Sequence, residues 1–224
     1  QSVGFEERIL NANDKAAEAN RALFQRHGLC AINLISSPGS GKTTLLVETL
    51  RLLRERARCA VIEGDQYTDH DAQQIAKTGV PVHQINTQQM CHLDAKLVAD
   101  HLPHFDLETI DLLFIENVGN LICPSEFDLG EGEKVVLLSV TEGEEKPVKY
   151  PLVFHLASAI VVTKLDLIPH LRIDLARLEA NIRSINGSAP IFFTSAFEPQ
   201  TLEPWLDWLW REPAKFNPEK ENER

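Results

Sequence analysis

The chain has 224 residues, 43% of them hydrophobic, which suffices for one domain around a continuous core and leaves no room for a second. Acidic residues number 33 against 22 lysines and arginines, a formal charge of −11, so nucleic acid is not an expected partner: phosphate contacts need a basic surface. No apolar run approaches the ~20 residues that cross a bilayer, and the opening QSVGFEERILNANDK lacks a signal peptide's apolar segment. No membrane partner is expected, and the expected compartment is the cytoplasm. The four separated cysteines, Cys30, Cys59, Cys91 and Cys123, read as reduced thiols or metal ligands rather than a disulfide framework. A first residue of Gln rather than Met suggests an upstream segment.

Residues 5 to 27 carry Ala, Glu and Arg with apolar positions at helical spacing, and Gly28 is a natural stop. Seven short apolar runs follow, at 31–36, 59–64, 80–86, 111–117, 135–140, 159–164 and 190–195, with helical patterns clearest at 42–57, 92–101 and 173–185. Continuous apolar strands alternating with helices mean strands covered on both faces. The expected fold is therefore α/β, a doubly wound, mostly parallel sheet with helices on both sides. The expected organisation is a helix at 1–28 packed on the core, one α/β unit at 29–211, and a frayed tail at 212–224 where the apolar period is lost. In such sheets ligands bind beyond the carboxyl ends of the strands, so the residues just after each run carry the function.

After the run AINLIS come Ser37, Pro38, Gly39, Ser40, Gly41, Lys42, Thr43 and Thr44, then the helical LLVETLRLLRE. This is the strand, loop and helix context of a phosphate-binding P-loop. Small residues let backbone N–H groups turn onto the phosphates, the helix N-terminus adds positive potential, Lys42 reaches the β and γ oxygens, and Thr43 can ligate Mg²⁺. Ser36 stands where the pattern has its first glycine. The fold class sharpens to a P-loop nucleoside triphosphatase.

Asp65 follows the second run and Glu116 ends the fourth, with Asn117, Val118 and Gly119 after it. A carboxylate at a neighbouring strand end is where such proteins hold Mg²⁺. Glu116 is the candidate, and Asp65 either ligates the metal or orients the attacking water, with Asp69 and Asp71 as weaker alternatives. Gly119 offers a backbone N–H to the γ-phosphate. Thr163, Lys164, Leu165 and Asp166 resemble the N/T-K-x-D motif by which GTPases read guanine, and Ser195 with Ala196 its companion. The Asp166 carboxylate can accept the N1–H and N2 hydrogens of guanine, a pair adenine does not offer. The 29–211 unit then reads as a GTPase domain with GTP and Mg²⁺ as cofactors and Lys42, Asp65 and Glu116 as its catalytic set.

Cys91 with His92 follows the third run, and Cys123 continues the Glu116 loop. Thiolate and imidazole suit Zn²⁺ or Ni²⁺. Two small buried thiols and a helix-capping histidine are the alternative. Three ligands do not close a tetrahedral site, but two copies on a two-fold axis could.

The strings SSPGSGKTTLL, VIEGDQ, CHLDA, FIENVGNLICPSEFDLGE and LSVTEGEEKPVKYP closely resemble the hydrogenase nickel-incorporation GTPases, the HypB family of maturation factors, from about Ala22 to Trp208. The resemblance implies a cytoplasmic GTPase, a GTP-dependent homodimer with metal at its interface, a small nickel-binding maturation partner, and indirect action on the [NiFe] hydrogenase large-subunit precursor. Carried over by position, Cys91, His92 and Cys123 become the Ni²⁺ or Zn²⁺ site. Two departures stand out: Gln88, Gln89 and Met90 replace a Gly- and Lys-containing loop, and this sequence has no upstream Cys-rich or His-rich segment. Two rivals share the fold. A urease-type nickel accessory GTPase lacks its Cys-Pro-His signature here, and a P-loop small-molecule kinase lacks its arginine lid.

Overall fold

The computed structural model describes residues 3–66, 69–88 and 90–216. The apolar runs form seven strands: β1 (Cys30–Ser36), β2 (Cys59–Asp65), β3 (Val82–Asn86), β4 (Leu112–Glu116), β5 (Glu133–Ser139), β6 (Ala159–Thr163) and β7 (Ile191–Phe193). They pair in the order β3-β2-β4-β1-β5-β6-β7, and every pair is parallel. Strands β1, β4 and β6 are buried along their whole length, which is why they read as unbroken apolar runs rather than alternating ones.

Helix α1 (Val3–His27) precedes the sheet, the connections between strands supply α2 (Lys42–Leu53), α3 (His70–Ala76), α4 (Ala95–His101), α5 (Cys123–Glu126), α6 (Lys146–Lys149), α7 (Pro151–His155) and α8 (Leu175–Ile185), and α9 (Glu203–Phe216) follows the last strand. Two begin later than the sequence pattern suggests, because an aspartate caps each. Asp94 accepts the Leu97 N–H at 2.7 Å and Asp174 the Arg177 N–H at 3.0 Å, satisfying first-turn donors that would otherwise be orphaned. The helix at α9 continues past Glu212 to Phe216; the remainder of the expected tail lies outside the described residues. Among the described residues no helix is long and apolar enough to cross a membrane.

One face of the sheet is covered by α2 and α9, whose Leu46, Leu50, Trp205 and Leu209 pack on Ile32, Leu34, Phe114 and Leu137. The buried Trp205 indole N–H donates to Thr49 Oγ1 at 3.0 Å, so the ring gains apolar contact without stranding a polar atom. On the other face, Phe24 and Val98 of α1 and α4 cover Ala31, Ile62 and Leu113, while Phe154, Leu178 and Ile182 of α7 and α8 cover Val136, Leu138 and Ile160. Helix α1 is fastened by polar contacts as well. Asn20 Nδ2 donates to Ala95 O at 2.8 Å and Leu129 O at 3.0 Å, and Asn13 Oδ1 accepts the Ala95 N–H at 2.9 Å.

Asn20→Ala would leave two buried carbonyls without their donor, each costly when unpaired. We expect a loss of about 2 kcal/mol, read as a lower urea midpoint at unchanged slope.

Candidate functional site

Strand β1 lies mid-sheet, and the loops from β2, β4 and β6 converge on its carboxyl end. Ser36 is still strand, with its hydroxyl donating to Ser37 O at 2.9 Å. The missing pattern glycine therefore falls where ordinary backbone serves. The left-handed conformations fall instead on Gly39, φ +73°, and Gly41, φ +88°, which adopt them without a Cβ penalty. Gly41 precedes α2 without a side-chain cap, so the helix N-terminus presents its N–H groups to a cavity of about 450 Å³. That cavity is walled by Ser37, Pro38, Gly39, Ser40, Gly41, Lys42, Thr43 and Thr44 together with Asp65, Asp71, Gly119 and Lys164. Gly119 packs so closely that an added Cβ would lie 3.1 Å from Pro38 Cα.

Glu116, 1% exposed, accepts from Lys42 Nζ at 2.9 Å and from Thr43 Oγ1 at 2.6 Å, both on Oε1. Its Oε2 is buried without a hydrogen-bond partner among the described residues. A hard cation needs such a set: a carboxylate oxygen beside a threonine hydroxyl at a helix N-terminus. Asp65 stands across the cavity and accepts the Gln66 N–H at 2.6 Å. Of the weaker alternatives, Asp71 lines the cavity, whereas Asp69 accepts from Gln73 at 2.8 Å. Sequence reading misses Glu63, which sits in register beside Glu116 on β2. Burial pushes its carboxyl up to about 8, with repulsion from Glu116, Asp65 and Asp71 adding to the effect, which favours its neutral form. An acid inside the apolar run CAVIEG was the available signal.

A second cavity, of about 300 Å³, adjoins the first, and Gly41, Thr44 and Lys164 line both. Thr163, Asp166 and Ala196 line it too. Lys164 adopts φ 64°, a rare conformation for a side-chain-bearing residue, and its Nζ donates to Gly39 O at 2.6 Å. Thr163 Oγ1 donates to Ser40 O at 2.6 Å, so this threonine ties the base loop to the phosphate loop where GTPases often have asparagine. Ser195 Oγ donates to Asp166 Oδ1 at 2.6 Å, fixing the carboxylate's orientation. Phe197, 78% exposed, lines this cavity as well; nothing in its spacing distinguishes it from any loop aromatic.

Cys91, His92 and Cys123 come together at the ends of β3 and β4. Their ligand atoms lie within 4.8 Å of one another, with the two sulfurs 2.8 Å apart and His92 Nδ1 3.7 Å from Cys91 Sγ. The His92 ring stacks on Phe127 at 4.0 Å, and burial lowers its pKa, which favours the neutral, metal-binding form. The cap of α4 is Asp94, not His92, so the imidazole is free of that role. Both thiols are half-buried rather than packed in the core, while Met90 and Ile122 stand exposed beside them. Gln88, in the part of the loop that departs from the family pattern, turns left-handed at φ 55° and donates its N–H to Asn86 Oδ1 at 2.9 Å.

The loop from Glu116 to Cys123 joins the two centres covalently, and hydrogen bonds that the sequence does not reveal join them as well. Asn117, fully buried beside Glu116, accepts the Leu93 N–H on Oδ1 at 3.0 Å and donates to Asn33 Oδ1 at 3.2 Å. Leu93 directly follows Cys91 and His92. In parallel, Gln66 Nε2 donates to Met90 O at 3.0 Å and the Thr87 N–H to Asp65 O at 2.9 Å. The charged turn at Thr141–Pro147 is anchored elsewhere. Glu144 accepts the Asp174 N–H at 2.7 Å and Glu145 pairs with Arg177 of α8.

The family profile described as CobW/HypB/UreG, nucleotide-binding domain, matches residues 30–193. The chain is 50% identical over 201 residues to hydrogenase maturation factor HypB of Escherichia coli K12, an alignment covering 90% of this chain and 69% of that protein. Among solved structures it is similar to HypB from Helicobacter pylori in complex with nickel, with a TM-score of 0.86, 38% identity and coverage of 91% and 96% of the two chains. It is also similar to HypB from Archaeoglobus fulgidus, with a TM-score of 0.84, 35% identity and coverage of 91% and 99%.

Cys30 and Cys59 are buried in the sheet, and burial followed by the charge of Asp111 pushes the Cys59 thiol up to about 12. In the reduced, metal-free chain, a thiol reagent at pH 8 should therefore modify Cys91 and Cys123 and reach the other two only on unfolding. Equal rates at all four positions would contradict this placement.

Proposed function

The chain belongs to the HypB hydrogenase maturation factors of the CobW/HypB/UreG nucleotide-binding family, and from that footing we propose that it is a Mg²⁺-dependent GTPase that delivers nickel during [NiFe] hydrogenase maturation. Nickel is named for the Helicobacter relative; for this chain it rests on the soft donor set at Cys91, His92 and Cys123. The observation that carries the coupling is Asn117, whose side chain holds the backbone just after the Cys91–His92 pair while its main chain continues from Glu116 toward Gly119 and Cys123.

In this reading Thr43 and Glu116 would hold Mg²⁺, which would supply charge neutralisation to the phosphates, and Asp65 either joins them as a ligand or orients the attacking water. Lys42 moves from Glu116 to the phosphate oxygens, and Gly119 donates its N–H to the γ-phosphate. Asp166, steadied by Ser195, accepts the two guanine hydrogens, while the Ala196 N–H meets O6. The γ-phosphate draws the Gly119 loop in, and Asn117 transmits the displacement to the thiol loop. Three protein donors leave a tetrahedral ion one short. A GTP-dependent homodimer, with the exposed Met90 and Ile122 facing the second copy, supplies the rest. Hydrolysis relaxes the Gly119 loop and frees the ion for a small nickel-binding maturation partner, which serves the hydrogenase large-subunit precursor.

Lys42→Ala should lower GTP turnover by about 10²–10³-fold. In wild type, Ni²⁺ affinity and dimer fraction, measured by dialysis and sedimentation, should both rise when GDP is replaced by a non-hydrolysable GTP analogue. Asn117→Ala should shrink that rise in affinity about tenfold. Equal values in the two nucleotide states of the wild type would refute the coupling.

A further inference from the structure

A second group of imidazoles lies away from everything above. His83 is near the start of β3, His101 closes α4 and His104 ends the helical turn that follows it. His101 and His104 are three residues apart, a spacing that puts both on one side of the chain, and β3 brings His83 against them. His83 Nε2 lies 2.7 Å from His101 Nδ1, the His83 and His104 rings stack at 3.9 Å, and one nitrogen from each of the three falls within 4.8 Å of the others. Strand β3 runs from this cluster to the Cys91 loop, and α4 runs back. The two ligand groups therefore stand at opposite ends of one strand–loop–helix unit.

We propose that His83, His101 and His104 form a second metal site, made of nitrogen ligands alone, that takes a borderline divalent cation such as Ni²⁺ or Zn²⁺ independently of Cys91, His92 and Cys123. Neutral imidazole suits these ions, whereas Mg²⁺ wants oxygen. Burial, then repulsion from His104 and His101, holds the His83 pKa below its ordinary value, which favours a free lone pair on that ring. A hydrogen bond joins His83 to His101, and a cation would join all three rings. Zinc–nitrogen bonds of about 2.0–2.1 Å place tetrahedral neighbours about 3.3 Å apart, so the His83 and His101 nitrogens separate slightly and the exposed His104 ring turns off its stack. Half-burial of His83 and His101 shields two ligands, and exposure of His104 leaves a path for the ion. With three protein ligands, one position stays open to water or to an incoming ligand, the arrangement of an exchangeable rather than a sealed site.

The test uses the untagged, reduced chain carrying Cys91→Ala and Cys123→Ala, dialysed separately against Ni²⁺ and Zn²⁺ at pH 7.5. One equivalent per chain should remain bound, with only nitrogen and oxygen neighbours in X-ray absorption. Adding His83→Gln and His104→Gln should abolish it. Because His83 also packs in the fold, His104→Gln alone, at an exposed ring, is the second variant and should weaken binding at least about tenfold with an unchanged circular dichroism spectrum. Failure to bind after loss of the two cysteines overturns the proposal, as does binding unaffected by His104→Gln. Because the cysteines are absent throughout, either result is independent of the thiol site and of GTP turnover.

Discussion

Glu116 is a buried charge at the end of a central strand, and such a group is tolerated only when partners meet it. Two partners do, and both come from the phosphate loop: the Lys42 ammonium and the Thr43 hydroxyl share a single oxygen. The carboxylate thus fixes where the Lys42 ammonium and the Thr43 hydroxyl sit, and its other oxygen has no hydrogen-bond donor among the described residues. Burial favours the neutral form of Glu63 alongside, which lessens the repulsion between two carboxylates on neighbouring strands.

Two sets of hydrogen bonds flank the phosphate loop. Thr163 and Lys164 reach the backbone of Ser40 and Gly39, so the loop after β6 helps to shape the phosphate loop. On the other side, Asn117 and Gln66 reach the segment around Cys91. Both sets join side chains to backbone groups, contacts that weaken steeply once distance or angle departs from the hydrogen-bond range. A displacement of the Gly119 loop would therefore be shared by its neighbours rather than absorbed locally.

Most of the architecture was readable because its determinants are local. The strands announce themselves as apolar runs, and the phosphate loop is contiguous, with each residue's role following from its place between a strand and a helix. The grouping of Cys91 and His92 with Cys123 was readable because both loops leave the same end of the sheet. Glu63, Asn117 and Phe197 escaped for a different reason. Their importance lies in register and in partners far away in sequence: Glu63 faces Glu116 across a strand pair, and Asn117 reaches both Asn33 and Leu93. The three histidines were invisible for the same reason, since only the fold brings residue 83 beside 101 and 104. The helix starts at α4 and α8 were misplaced because Asp94 and Asp174 compete for the first-turn donors, which a periodicity does not register.

The phosphate loop issues from the middle strand of the sheet, whereas Cys91 and His92 follow β3, which lies at its margin beside β2. A marginal strand is the usual nucleus for edge-to-edge aggregation. In β3 the sequence VHQIN is only partly covered and interrupts its apolar residues with an imidazole and an amide. This polar interruption makes β3 a poor template for stacking copies of the chain, so the sheet can carry a ligand-bearing loop at its margin without becoming adhesive.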